Sequence, residues 1–162
     1  MTLNIHWVDD LPQEIESRTI VFTVAKLAVF QKGNVITKSK WLLDDDVTAE
    51  SADRLHGEFY QYFNESNFVL EINLLKQGSV FRNKVWMEIA NIPSGEVLTY
   101  SQLAFRLGSG ARAVANACRD NPFPGIIPCH RVVAVSDLGG YMGETKGQFL
   151  DIKRALLDIE KQ

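Results

Sequence analysis

Cys129 stands directly before His130 and Arg131 in the run Asn121-Pro122-Phe123-Pro124-Gly125-Ile126-Ile127-Pro128-Cys129-His130-Arg131-Val132-Val133. The thiolate is the reactive form of cysteine, and an imidazole or guanidinium beside it draws the thiol pKa down from about 8.5 toward neutrality. Neighbouring residues on a strand face opposite ways, so a Cys129–His130 contact needs a turn or a bridging water. The ordinary fate of a free cysteine is burial as a small hydrophobe. Pro122, Pro124 and Pro128 count against that fate here, because they restrict the backbone and would present Cys129 rigidly. Cys118 lies in a helical pattern and reads as packing.

The elements that would position this run are legible around it. A helix capped by Ser79 carries Phe81, Val85, Ile89 and Ile92 on one side and ends near Pro93-Ser94-Gly95. Thr99 caps a second helix, Tyr100 to Leu107, which Gly108-Ser109-Gly110 breaks before a third, Ala111 to Arg119. Two short helices around a glycine-containing turn have the form of a helix-turn-helix. In the third helix Ala111, Ala113, Ala115 and Ala117 interleave with Arg112, Val114, Asn116 and Cys118, and so short-chained a helix can approach a groove closely. Nearer the N-terminus, Thr19 to Phe30 and Val35 to Leu43 read as strands paired across Gly33-Asn34. The acid run Asp44 to Asp46 reads as solvated turn and helix N-terminus rather than a metal site. A helix then carries Leu55, Phe59 and Phe63, capped by an acid or Thr48, before a strand from Phe68 to Leu75. Lys76-Gln77-Gly78 marks the boundary between a lobe at 1–76 and a lobe at 77–162.

With 46% apolar and 23% charged residues in 162, the chain is of globular composition and long enough to bury a core. Two cysteines without metal or disulfide spacing suit a reducing compartment, and His6 and His56 have no cysteine close by, so neither a metal nor a cofactor is expected. No apolar stretch has the length of a membrane span and the N-terminus does not read as a signal peptide, so the expected location is cytoplasmic, or nuclear in a eukaryote. The net charge of −3 is unevenly spread. Residues 1–79 hold 7 Lys and Arg against 12 Asp and Glu, whereas residues 80–162 hold 10 against 8. The positive half is thus the half with the cysteine run, and Arg106, Arg112 and Arg119 cluster where a DNA-facing helix would lie.

Pro128-Cys129-His130-Arg131-Val132 resembles the active-site signature of the O6-alkylguanine-DNA alkyltransferases, the methylated-DNA–protein-cysteine methyltransferases. Upstream, Phe81, Val85-Trp86, Gly95-Glu96-Val97-Leu98-Thr99-Tyr100, Gln102-Leu103-Ala104, Ala111-Arg112-Ala113-Val114, Arg119 and Asn121-Pro122 follow that family's order and spacing. Downstream, Gly139-Gly140-Tyr141 and Lys153 through Leu156-Leu157 to Glu160 continue it. The resemblance covers roughly residues 80 to 160 and implies an α+β fold. Its N-terminal lobe would be an antiparallel, ribonuclease-H-like sheet with one helix, and its C-terminal lobe mostly helical with the helix-turn-helix.

The resemblance implies DNA repair by a monomer that binds double-stranded DNA through the minor groove and flips the damaged base. The alkyl group of O6-alkylguanine, and of O4-alkylthymine, would pass to Cys129 in a stoichiometric, suicidal step. His130 would take the thiol proton through a water, Glu160 would orient the imidazole, and Tyr100 would donate its hydroxyl hydrogen to guanine N3. Arg112 would fill the space of the extruded nucleotide, with Ala111, Ala113 and Ala115 lining the groove-facing helix. Asn121 would brace the turn before the cysteine strand and Arg131 would fix that strand. Tyr141, Met142 and Gly143 would line the base pocket. Met142 stands where the family usually has serine, Asn116 where relatives often have glycine, and Glu144 to Gly147 form an insertion. A lesion-binding relative without chemistry would lack Cys129. A transcriptional regulator would not need the cysteine signature, and a Cys-His hydrolase would need an oxyanion site.

Overall fold

The computed structural model describes residues 2–10, 16–21, 25–44, 54–65 and 67–161, which divide into two compact units, Met1–Gln77 and Gly78–Gln162. The fold is α+β in both pattern and content.

In the first unit, strands β1 (Thr2–Val8), β2 (Glu16–Val21), β3 (Lys26–Lys32), β4 (Val35–Leu42) and β5 (Val69–Leu75) form one sheet in the order β1-β5-β4-β3-β2. Helix α1 (Arg54–Asn64) links β4 to β5. The expected antiparallel sheet is therefore corrected to a mixed one. The β2–β3 and β3–β4 pairs are antiparallel, the second closed by the Gly33-Asn34 turn, but β5 runs parallel to both β4 and β1. The physical reason is the helix: a crossover connection returns the chain in the same direction, where a tight turn reverses it. The stretch Thr19 to Phe30 holds the end of β2 and most of β3 rather than one strand. Leu27, Val29, Trp41, Phe59, Leu70 and Leu74 form the core. Thr48, Asp45 and Asp46 lie outside the described residues, as do the side chains of Leu55 and Phe63.

The second unit comprises α2 (Val80–Ala90), β6 (Leu98–Thr99), α3 (Tyr100–Arg106), α4 (Ala111–Arg119), a 3₁₀ turn (Cys129–Arg131), β7 (Val132–Val133) and α5 (Gln148–Glu160). Ser79 caps α2 by accepting from the Arg82 N–H, and Thr99 and Gln102 form a capping box on α3. Val85 and Ile89 of α2 are fully buried, and the Trp86 indole N–H donates to the Ala117 carbonyl at 2.8 Å, joining α2 to α4. Helices α3 and α4 pack together across a connection that turns at Gly108, whose φ of +60° suits glycine.

Cys129 does not lie on a strand. The Arg131 N–H donates to the Pro128 carbonyl at 2.9 Å, which winds Cys129, His130 and Arg131 into a single turn. The parallel ladder with β6 begins only at Val132. Proline at the start of that turn fixes φ and has no N–H to contribute to a ladder, so the β-branched pair after it makes a two-residue strand.

Candidate active site

The cysteine turn, the first residue of α3, one face of α4 and the loop after β7 line a half-open cavity of about 250 Å³. Tyr100, Ala115, Asn116, Cys118, Arg119 and Cys129 line it, with the stretch from Gly140 to Thr145. Cys129 is buried in its wall. Asn121 spans the loop between α4 and the turn: its amide Nδ2 donates to the Ile127 carbonyl at 3.1 Å and to Cys129 Sγ at 3.2 Å, while its Oδ1 accepts from the Phe123 N–H at 2.9 Å.

Within the same turn, His130 and Arg131 point into the protein. His130 Nε2 lies 2.8 Å from Glu160 Oε1, and the Arg131 guanidinium donates to both Glu160 oxygens at 2.7–3.2 Å and to the Ile92 carbonyl at 2.6 Å. All three side chains are at most 3% exposed. Burial alone would push the Glu160 carboxyl up, but the bonds from His130 and Arg131 outweigh it and hold it at about 2. Burial pulls the His130 imidazole below its ordinary value despite the attraction of Glu160. A carboxylate facing Nε2 places the imidazole proton there, which leaves the Nδ1 lone pair as the basic one. Nδ1 is buried and makes no hydrogen bond within the protein among the described residues.

The thiol itself is pushed up, not down. Burial is the dominant cause, opposed by the Asn121 amide, the Lys153 charge and a hydrogen bond with Tyr141. The expected company of the thiol is thus corrected. The Arg131 charge is spent on Glu160, and the cation that acts on Cys129 is Lys153. Its Nζ donates to the Val132 carbonyl at 2.7 Å and the Gly140 carbonyl at 2.9 Å, and the residue is wholly buried. Burial lowers the Lys153 ammonium to about 8. Tyr100 Oη also reaches the Gly140 carbonyl, at 3.3 Å, and burial pushes its pKa far up, so it stays a protonated donor.

A buried thiol and a protonated phenol thus line one cavity, with a buried imidazole that keeps a free basic nitrogen next in chain to the thiol, an arrangement suited to moving a proton off sulfur. The family described as 6-O-methylguanine DNA methyltransferase, DNA binding domain, matches residues 80–162. A Saccharolobus islandicus methylated-DNA–protein-cysteine methyltransferase is 38% identical over 126 residues, 74% of this chain and 80% of that protein. The chain belongs to this family. A probable methylated-DNA–protein-cysteine methyltransferase of Acanthamoeba polyphaga mimivirus is 42% identical over 106 residues, 64% of this chain and 68% of its own. The crystal structure of Mycobacterium tuberculosis O6-methylguanine methyltransferase superposes with a TM-score of 0.74 at 29% identity, covering 91% and 93% of the two chains. The same organism's protein in complex with DNA gives 0.71 at 33% identity, covering 90% and 92%.

The residues singled out in the sequence fall into four places. Tyr100, Ala115, Cys129, Tyr141, Met142 and Gly143 line the cavity. Asn121 touches the sulfur from outside it, and His130, Arg131 and Glu160 form the buried cluster. Arg112 and Ala113 lie exposed on α4 away from the cavity, with Ala111 half-buried at its start, while the exposed Asn116 and Arg119 reach the cavity rim. Positions 112, 116 and 119 follow the i, i+4, i+7 spacing of one helix face. Sequence reasoning missed two groups near the Cys129 sulfur. Lys153 stood only as a motif letter, although a lysine among Ile152, Leu156 and Leu157 on a buried helix face was a signal. Cys118 was read as packing, yet it lines the cavity. Among the described residues no group of three or more His, Cys, Asp or Glu could hold a metal, and no helix is long and apolar enough to cross a membrane.

Proposed function

We propose that this chain repairs double-stranded DNA as a monomer by transferring the alkyl group of O6-alkylguanine, and of O4-alkylthymine, to Cys129. The observation that carries the reading is the cavity in which Cys129, Tyr100 and the 140–145 loop meet, with His130, paired to Glu160, next in chain to Cys129. Helices α3 and α4 act as a helix-turn-helix whose exposed face, with Arg112 and Arg119, meets the minor groove. The target carbon is buried in a duplex, so the base is flipped into the cavity while Arg112 fills its place. The planar guanidinium suits that task because it stacks and hydrogen-bonds at once.

In the reaction, His130 Nδ1 takes the thiol proton through a water, and Glu160 stabilises the imidazolium that forms. Because burial holds the resting thiol protonated, the nucleophile forms only when that proton has somewhere to go. The sulfur then attacks the alkyl carbon in line: the S–C bond forms, the C–O6 bond breaks and the electron pair leaves with guanine. The Tyr100 hydroxyl donates toward N3, so the base departs closer to neutral. The product is a thioether, and no group in the cavity is suited to hydrolysing it, so each molecule acts once.

Intact-protein mass spectrometry after incubation with duplex DNA carrying one O6-methylguanine tests this directly. One methyl group, mapped to Cys129, saturating at one per protein and absent from Cys129→Ala, is the expected result. Lesion binding with no mass gain would overturn the reading in favour of a damage sensor.

A further inference from the structure

Resting on that reading, we propose that Met142 sets the size of the alkyl group the site accepts, its side chain narrowing the cavity it shares with Cys129 so that transfer is restricted to small groups. Met142 and Gly143 are the central residues of a tight turn closed by the Tyr141 N–H to the Glu144 carbonyl at 2.8 Å and the Glu144 N–H to the Tyr141 carbonyl at 3.0 Å. Their φ values are +52° and +85°, the pattern of a turn that favours Asn or Gly first and Gly second. Gly143 meets that demand. Met142 does not, and it is the one non-glycine residue at positive φ among the described residues. A side chain held in a conformation its backbone resists points to a function for the side chain.

Its neighbours show how little room for a side chain there is on either side of it. A Cβ on Gly140 would stand 3.0 Å from the Glu144 carbonyl oxygen, and one on Gly143 would stand 3.3 Å from Arg119 Cδ. A side chain at 140 would press on backbone and one at 143 would crowd Arg119 at a φ of +85°, so of the cavity-lining positions 140, 142 and 143 the side chain stands at 142. Met142 is half-buried there. The cavity of about 250 Å³ must hold a purine as well as its alkyl group, and it falls below the ~300–1,000 Å³ of sites that take drug-sized ligands. A bulky alkyl group shares this space with the wall residues, and an unbranched thioether takes up part of it.

The test compares single-turnover alkylation of Cys129 by duplex DNA carrying O6-methylguanine or O6-benzylguanine, in wild type, Met142→Asn, Met142→Gly and Met142→Leu. Asparagine suits the turn and removes bulk, and glycine removes all of it. The benzyl-to-methyl rate ratio should rise on the order of tenfold or more in both, the discrimination that one or two methylenes provide. Leucine keeps the bulk and should leave the ratio as in wild type. An unchanged ratio in Met142→Asn, with methyl transfer still proceeding, would overturn the inference while leaving the alkyl-transfer reading intact. Absence of methyl transfer by the wild type would overturn both.

Discussion

Two histidine–carboxylate pairs of equal length stand in the two units of this chain. His6 Nε2 lies 2.8 Å from Glu71 in the first, and His130 Nε2 lies 2.8 Å from Glu160 in the second. The first pair bridges β1 and β5 on a solvent-facing side of the sheet, its side chains 65% and 56% exposed, with Asn4 as a third partner. The second is 1% and 2% exposed and is joined by the Arg131 guanidinium. Water competes for the first pair and screens it, so the contact adds little. The second is out of reach of bulk solvent, so each group of the Glu160 cluster depends on the others. Glu71 is lowered chiefly by its bond from Asn4, and Glu160 is lowered against the full opposition of burial. Burial, not the pairing itself, separates the surface contact from the cluster next to Cys129.

The largest expected effect comes from breaking the buried pair. Glu160→Gln leaves the Arg131 guanidinium without its counter-ion and should cost about 3–5 kcal/mol in chemical denaturation. It should also slow alkyl transfer and change its pH profile; an unchanged rate and profile would remove Glu160 from the reaction. Acid should reproduce part of this in the wild type. The Glu160 carboxyl is held at about 2, below its ordinary 4.5, so its contribution is complete above about pH 4.5 and is lost as pH falls toward 2. By linkage the loss is about 3 kcal/mol, and the acid limb of stability against pH should be correspondingly shallower in Glu160→Gln.

Lys153→Met should have a smaller effect on stability, because it removes the ammonium from the Val132 and Gly140 carbonyls, of which Gly140 keeps the Tyr100 hydroxyl, at about 1–3 kcal/mol while relieving the burial of a charge. The folded ammonium titrates at about 8 rather than 10.5. The cost of burying it is present below pH 8 and fades as pH rises toward 10.5, so wild type should gain stability relative to the variant across that window. Transfer at neutral pH should slow, since the charge that favours the thiolate is gone; an equal rate would show that Lys153 only packs. Smallest of all, Glu71→Gln should leave the melting temperature and the transfer rate unchanged. A clear loss in either would mean that the exposed pair matters as the buried one does.

The helices of the second unit were legible because their signals are local. Ser79 and Thr99 cap where their side chains can accept a backbone N–H, and glycines at 108 and 110 end one helix before the next begins. The Gly33-Asn34 turn between β3 and β4 was legible for the same reason. Strand β1 went unassigned although Leu3, Ile5 and Trp7 alternate with Asn4 and His6. A single short edge strand carries little signal until the partner β5 is known. The parallel pairing of β5 was out of reach too, since register and direction between strands distant in sequence are not written in either strand. In the site, the apolar, β-branched surroundings of Cys129 suggested a strand, and the hydrogen bond to the Pro128 carbonyl made a turn of it.

From residue types and spacing alone, the chain specified which thiol was the candidate nucleophile, which helices precede it and which family it resembles, because caps, turns and motifs act over a few residues. What only the tertiary structure decided was the company that the thiol keeps. Arg131, two positions from Cys129, gives its charge to Glu160, while Lys153, far along the chain, supplies the charge that acts on the sulfur. Electrostatic influence follows distance through a low-dielectric interior rather than separation along the chain, and that distance exists only once α5 has packed against the cysteine turn.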